Sequence, residues 1–214
     1  MLCTAAETKV MCSPNRTVCM PAPKEKTGQP AVLPLFFDRI LLTGFRATGK
    51  SLVGRLLADR LALDFLDTDA LLCRLIGCSV ADFVAEHGWA RFREQEEHVL
   101  MDLCRRSGVV IATGGGAVLH KQAWAALRRK SASVWLQADE QTIQQRLAAD
   151  SHSEQQRPSL TGMDPALEIQ GMLSERTPLY QRGSDFAVRT DGRSPRELVK
   201  EIEHGLTLLT EKKG

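Results

Sequence analysis

The sequence has almost no surplus of either charge: 28 Lys and Arg stand against 26 Asp and Glu, a formal net charge of +2. So small an imbalance excludes a general polyanion binder, whether the anion is a nucleic-acid backbone or a membrane surface. Long hydrophobic runs are missing too. None approaches the roughly 20 apolar residues that span a bilayer. The six cysteines (Cys3, Cys12, Cys19, Cys73, Cys78 and Cys104) include no C-x-x-C pair, and no histidine lies near the first three to complete a zinc set. They are therefore expected to be free thiols in a reducing cytosol. The N-terminus lacks the positively flanked apolar core of a secretory signal, and Glu7 and Glu25 disfavour an Arg-rich organellar presequence.

What is present divides into two unlike parts. Residues 1–37 hold five of the nine prolines (Pro14, Pro21, Pro23, Pro30 and Pro34) and all of the +2 surplus. Five prolines remove backbone donors and fix φ, so this stretch reads as a disordered, proline-rich extension. Residues 38–214 carry 24 charges of each sign and read as one balanced domain.

Within the domain short apolar runs alternate with longer amphipathic ones. Arg39–Thr43, Asp64–Asp67, Val109–Thr113, Ser133–Leu136 and Asp185–Arg189 read as strands. Helical spacing appears over Ser51–Leu61, from Ser79 to about Gly88, on through Phe92, Val99 and Leu103, and after the Ser194-Pro-Arg-Glu197 capping box. Strands separated by helices imply an α/β fold, a three-layer open parallel sheet with helices on both faces. In such sheets ligands sit beyond the carboxyl ends of the strands. The chemically unusual stretches fall there.

Gly44-Phe-Arg-Ala-Thr-Gly-Lys50-Ser51 fits G-x-x-x-x-G-K-[ST] between a strand and a helix. Such a loop points backbone N–H groups at phosphate oxygens, at the positive end of the next helix. Lys50 would reach the β- and γ-phosphates and Ser51 would offer its hydroxyl to Mg²⁺. No Asn-Lys-x-Asp guanine reader accompanies it, and no apolar strand ends in Asp-Glu. A nucleotide triphosphate site is the reading.

Three more stations point to phosphoryl transfer onto a small anionic acceptor. Asp67-Thr-Asp69 is expected on an extended segment, both carboxylates pointing the same way, one toward a metal and one toward acceptor hydroxyls. Arg93, early in a helix, could fork onto a carboxylate. Gly114, Gly115 and Gly116 would let a ligand approach bare backbone. Each has a blander meaning alone: a helix cap, a solvated arginine, a flexible loop. Together, at consecutive strand ends, the functional meanings are favoured.

The phosphate loop, Phe65-Leu-Asp-Thr-Asp69, Gly88-Trp-Ala-Arg-Phe-Arg-Glu-Gln-Glu96, Thr113-Gly-Gly-Gly-Ala117, Gln156-Arg-Pro-Ser-Leu-Thr-Gly162 and Glu175-Arg-Thr-Pro-Leu-Tyr180, in that order, resemble the shikimate kinase family over roughly residues 39–205. The resemblance implies a P-loop fold like that of nucleoside-monophosphate kinases, with strand order 2-3-1-4-5. It implies ATP-dependent phosphorylation of shikimate to shikimate 3-phosphate, in the chorismate route to aromatic amino acids, by a cytoplasmic monomer. By the same resemblance Lys50, Asp69 and Arg157 are catalytic. Gly44, Ala47, Thr48, Gly49, Lys50, Ser51, Leu52, Arg146, Arg157 and Arg193 would bind ATP, with Arg146 and Arg193 on its adenine side. Asp69 would hold the ring hydroxyls, Arg93 and Arg176 the carboxylate, and Gly114, Gly115 and Gly116 the ring. Ser51 and Asp67 would serve Mg²⁺.

The polar stretch Asp150-Ser-His-Ser-Glu-Gln-Gln156 reads as part of a mobile lid spanning about 150–163. Ala47 departs from the family, which usually has Gly there, and Arg182 stands where an acidic residue is common. Trp124 and Trp135 are expected in the core. Two rivals remain: a P-loop kinase of another hydroxy acid such as gluconate, and a non-catalytic sensor that binds the same ligands.

Overall fold

A computed structural model describes residues 37–149 and 165–212. The proposed extension up to residue 36 and the proposed lid, with Arg157 in it, lie outside the described residues. Five strands, β1 (Arg39–Thr43), β2 (Asp64–Asp67), β3 (Val109–Ala112), β4 (Ser131–Gln137) and β5 (Phe186–Arg189), form one parallel sheet in the order β2-β3-β1-β4-β5. Leu41 pairs with Ile111 on one side and Ser133 on the other, which fixes the register at the centre. The strand order is the expected one.

Among the described residues seven α-helices connect and cover the strands: α1 (Lys50–Arg60), α2 (Thr68–Ile76), α3 (Val80–Leu103), α4 (Lys121–Arg128), α5 (Glu140–Ala149), α6 (Pro165–Arg182) and α7 (Pro195–Glu211). Every residue of β1 is buried, as a strand covered on both faces must be. Its side chains alternate between two cores. Ile40 and Leu42 join Val53 and Leu57 of α1 and Ile202 and Leu206 of α7 on one face. Leu41 joins Leu71 and Leu75 of α2, Phe92 and Val99 of α3, and Tyr180 of α6 on the other. Phe37, assigned from sequence to the extension, is buried in the first of these cores.

Local chemistry explains the boundaries. Ser194 and Glu197 form the expected capping box at α7. Ser79 accepts from the Asp82 N–H to start α3, and Gly88, at φ 78° and ψ 166°, breaks that span into the two helices foreseen from sequence. Arg39 is only 3% exposed because three carbonyls take its guanidinium: Arg106 at 2.7 Å, Cys104 at 3.0 Å and Leu127 at 3.2 Å. One side chain thus closes the carboxyl ends of α3 and α4, where helix carbonyls lack partners. Trp124 is buried and Trp135 packs against the same core. Neither Cys73 nor Cys104 is disulfide-bonded. Among the described residues no helix is long and apolar enough to cross a membrane.

Candidate active site

At the end of β1 the chain turns at Gly44, φ 138°, where a β-carbon would run into the Leu136 carbonyl of the neighbouring strand. Only glycine fits there. Gly49, φ 89°, then leads into α1, whose N-terminus has no side-chain cap. The first N–H groups of that helix are thus left for an anion. Between them the loop curls on one carbonyl: Thr48 Oγ1 donates to Phe45 O at 2.8 Å, and Lys50 Nζ donates to it at 2.5 Å. Lys50 is 8% exposed, so its ammonium lies within the loop rather than in solvent. Ala47, where the family usually has Gly, takes a left-handed φ of 60°, which costs a residue with a β-carbon about 1 kcal/mol.

Sixteen residues on, the end of β2 faces α1. Ser51 Oγ donates to Asp67 Oδ2 at 2.5 Å. The other carboxylate oxygen, Oδ1, accepts from the Asp69 and Ala70 N–H groups at 3.0 and 3.2 Å, making Asp67 the N-cap of α2. This corrects the expectation of an extended Asp67–Asp69. The chain turns helical at Thr68, so Asp69 lies in the first turn of α2 rather than one pleat beyond Asp67. Both carboxylates still line one open cleft of about 720 Å³ together with Ser51. Thr68, no part of the sequence reading, accepts from the Gly114 N–H at 2.7 Å and so ties the start of α2 to the glycine triplet after β3.

The third station forms around Glu96. It is 7% exposed, accepts from Arg93 Nη1 one helical turn back, and lies 3.4 Å from His120 Nε2. A buried carboxylate paired this way fixes the guanidinium direction. Gly116 makes the approach possible, since a β-carbon there would sit 2.5 Å from Arg93 Nη1. Asp69 and Glu96 also border one small hollow, with Thr68 and Gly114 between them. From α6, Arg176 and Tyr180 reach the same glycines. Tyr180 Oη donates to Gly115 O at 2.6 Å and Arg176 Nη1 to the same oxygen at 3.4 Å. Arg176 is 5% exposed and its Nε has no hydrogen-bond partner among the described residues. A buried guanidinium short of acceptors suits an anionic ligand.

On the opposite side of the loop, Arg146 of α5 donates to Ala47 O at 3.2 Å, Thr190 Oγ1 at 3.0 Å and Thr190 O at 2.9 Å. Arg193 donates to Arg189 O at 3.3 Å and pairs with Glu201. Leu52 projects outward and is 55% exposed. Of the residues chosen from sequence, those in the described part gather at the carboxyl ends of β1, β2, β3 and β5. Sequence reasoning missed Thr68, Glu96, Tyr180 and Thr190. The three-residue spacing of Arg93 and Glu96 was a legible signal for one of them. The other three act through tertiary contacts with no local pattern.

A parallel sheet in this order, with a G-x-x-x-x-G-K-S loop entering α1 and acidic and basic stations at neighbouring strand ends, defines a P-loop kinase. Residues 46–207 match the model of the shikimate kinase family. A shikimate kinase from Nitratidesulfovibrio vulgaris is 46% identical over 153 residues, 72% of this chain and 87% of that protein. The shikimate kinase from Acinetobacter baumannii, solved in complex with shikimate, superposes with a TM-score of 0.74 at 30% identity, covering 82% of this chain and 95% of that one. The enzyme from Aquifex aeolicus gives a TM-score of 0.66 at 33% identity, over 81% and 96% of the two chains. The chain belongs to the shikimate kinase family.

Proposed function

We propose that this protein transfers the γ-phosphoryl group of ATP to shikimate, giving shikimate 3-phosphate and ADP. One observation carries the reading: Asp69, Arg93 and Arg176 converge on the glycines after β3, beside a phosphate loop whose lysine points inward. Two arginines suit a planar carboxylate and one carboxylate suits neighbouring hydroxyls. A nucleoside acceptor offers no carboxylate for them.

In the proposed step the 3-hydroxyl oxygen forms a bond to the γ-phosphorus while the bond to the β,γ-bridging oxygen breaks. The hydroxyl proton passes to the Asp69 carboxylate, and ADP leaves. Asp69 orients the hydroxyl, and Arg93, held by Glu96, fixes the ring by its carboxylate. Tyr180 and Arg176 hold the Gly115 carbonyl, so the wall against the ring does not drift. Lys50 and the loop N–H groups offset charge on the phosphates, the main catalytic demand of phosphoryl transfer. The hydrogen bonds of Arg146 use the guanidinium edge, leaving a planar face of the kind on which adenine stacks. Arg193 is assigned beside it and Leu52 to the nucleotide through its backbone. Arg157, which the resemblance assigns to the transferring phosphates, lies outside the described residues.

The donors present fit Mg²⁺. No group of three or more His, Cys, Asp or Glu side chains able to hold a metal occurs among the described residues. Magnesium needs no such cage, being held by one or two protein oxygens and substrate phosphates. Ser51 and Asp67, already 2.5 Å apart, would hold it. When bound it would neutralise phosphate charge. We place the enzyme in the cytoplasm as a monomer, with ATP and shikimate as its partners and no nucleic acid.

An acceptor screen by coupled ADP release tests the reading against its rivals. Turnover with shikimate and none with gluconate supports it. Gluconate turnover without shikimate turnover would make the protein a kinase of another hydroxy acid, and binding of both substrates without turnover would make it a sensor.

A further inference from the structure

Ala47 holds a left-handed φ of 60° in the middle of the phosphate loop, a conformation its β-carbon disfavours. Such conformations persist where the surroundings over-determine them. Within the loop Thr48 and Lys50 both bond to the Phe45 carbonyl, and from outside it one side chain reaches Ala47 itself. Arg146 Nη1 donates to the Ala47 carbonyl at 3.2 Å and to Thr190 Oγ1 at 3.0 Å, while Nη2 donates to the Thr190 carbonyl at 2.9 Å. Thr190 is an anchor rather than a loose loop residue. It is 1% exposed, and its N–H bonds to Gln137 O at 2.8 Å, extending the β4–β5 pairing. The guanidinium therefore spans from the fixed edge of the sheet to the carbonyl whose direction defines the turn. The N–H groups that follow, of Thr48 and Gly49, take their direction from that turn.

We propose that Arg146 is a positioning residue for the phosphate loop, holding Ala47 in its left-handed turn so that the loop is set for phosphate before any nucleotide arrives. The inference rests on the reading of residues 44–51 as the ATP phosphate site, and adds to the adenine contact assigned to Arg146. A bare adenine contact needs only the face of the guanidinium. The observed bonds use its edge, and they reach both ends of the bridge at once. Lysine could not do this, having a charge but no fork.

Inorganic tripolyphosphate separates the two roles because it has phosphates and no base. Its binding, with Mg²⁺, is measured by calorimetry for the full chain, Arg146→Lys, Ala47→Gly, the double variant and Thr190→Val. Arg146→Lys, which keeps the charge, should weaken tripolyphosphate about tenfold. In the Ala47→Gly background, where the left-handed turn is unstrained, the same change should cost less than about threefold. Thr190→Val keeps Arg146 and removes one anchor, so a weakening of about threefold is expected, a second reading should Arg146→Lys fold poorly. Unchanged tripolyphosphate binding in Arg146→Lys, with ATP alone weakened, would overturn the proposal. So would an Arg146→Lys loss as large in the Ala47→Gly background as in the wild-type loop. If the wild-type chain binds no tripolyphosphate, the phosphate-site reading fails and takes this inference with it; if it binds and the variants match it, only the inference fails.

Discussion

The Ser51 hydroxyl donates to Asp67 Oδ2 across 2.5 Å, so the first turn of α1 and the cap of α2 meet at one point. Asp67 divides its oxygens between two tasks: Oδ1 takes the N–H groups that start α2, and Oδ2 faces the phosphate loop. The two tasks can be separated by substitution.

Asp67→Asn keeps an oxygen for the cap and loses the charge. Fold stability should change by less than about 1 kcal/mol, since Asn caps as well as Asp. The Mg²⁺ concentration needed for half-maximal activity should rise about tenfold. Thermal melting and a magnesium titration of turnover check both, and an unchanged magnesium requirement would remove Asp67 from the metal site.

Asp69→Asn should abolish detectable turnover and leave ATP binding nearly unchanged, because the amide cannot accept the hydroxyl proton. Calorimetry with ATP beside an activity assay decides it. An equal loss of both would make Asp69 a structural residue of the first turn of α2.

Arg93→Lys keeps a positive charge and loses the fork that Glu96 orients. The KM for shikimate should rise about tenfold or more, with KM for ATP little changed. Gly116→Ala should move in the same direction, because its new methyl would meet Arg93 Nη1 at 2.5 Å. A shikimate KM unaffected by Arg93→Lys would place Arg93 outside the site.

Asp191 ties β5 to the start of α5, accepting from the Asp139 N–H at 3.0 Å and from Arg189. Burial pushes its carboxyl upward, but the Asp139 N–H, the Arg189 guanidinium and Thr142 together hold it below its ordinary 3.8. A carboxylate lowered on folding stabilises above its unfolded value, and loses that contribution as pH falls through the folded one. Asp191→Asn should therefore lower Tm at pH 7, and the gap should close as pH falls from about 4 downward. A gap that persists in acid would show that the charge is not what matters.

Much of this was legible because it is local. The five strands, the β1-loop-α1 unit, the α7 capping box and the Gly88 break each follow from residues close in sequence. The Asp67–Asp69 geometry was not, because a strand and a capped helix N-terminus can share those three residues. Only the Oδ1 bonds of Asp67 to the next turn show which one won. Ala47 could be flagged from sequence as an unusual residue at its place, but its φ of 60° and the Arg146 bridge could not, as the partners are 99 residues apart. Tyr180 and Thr190 share that reason: each meets its site partner only after the sheet has assembled.

The most direct test of the central claim is shikimate-dependent ADP release, with Mg²⁺ present, by the protein beginning near Leu35. One ADP should form for each shikimate 3-phosphate, turnover should stop when Mg²⁺ is chelated, and gluconate should give no comparable rate. ADP release that is the same with and without shikimate would contradict that claim.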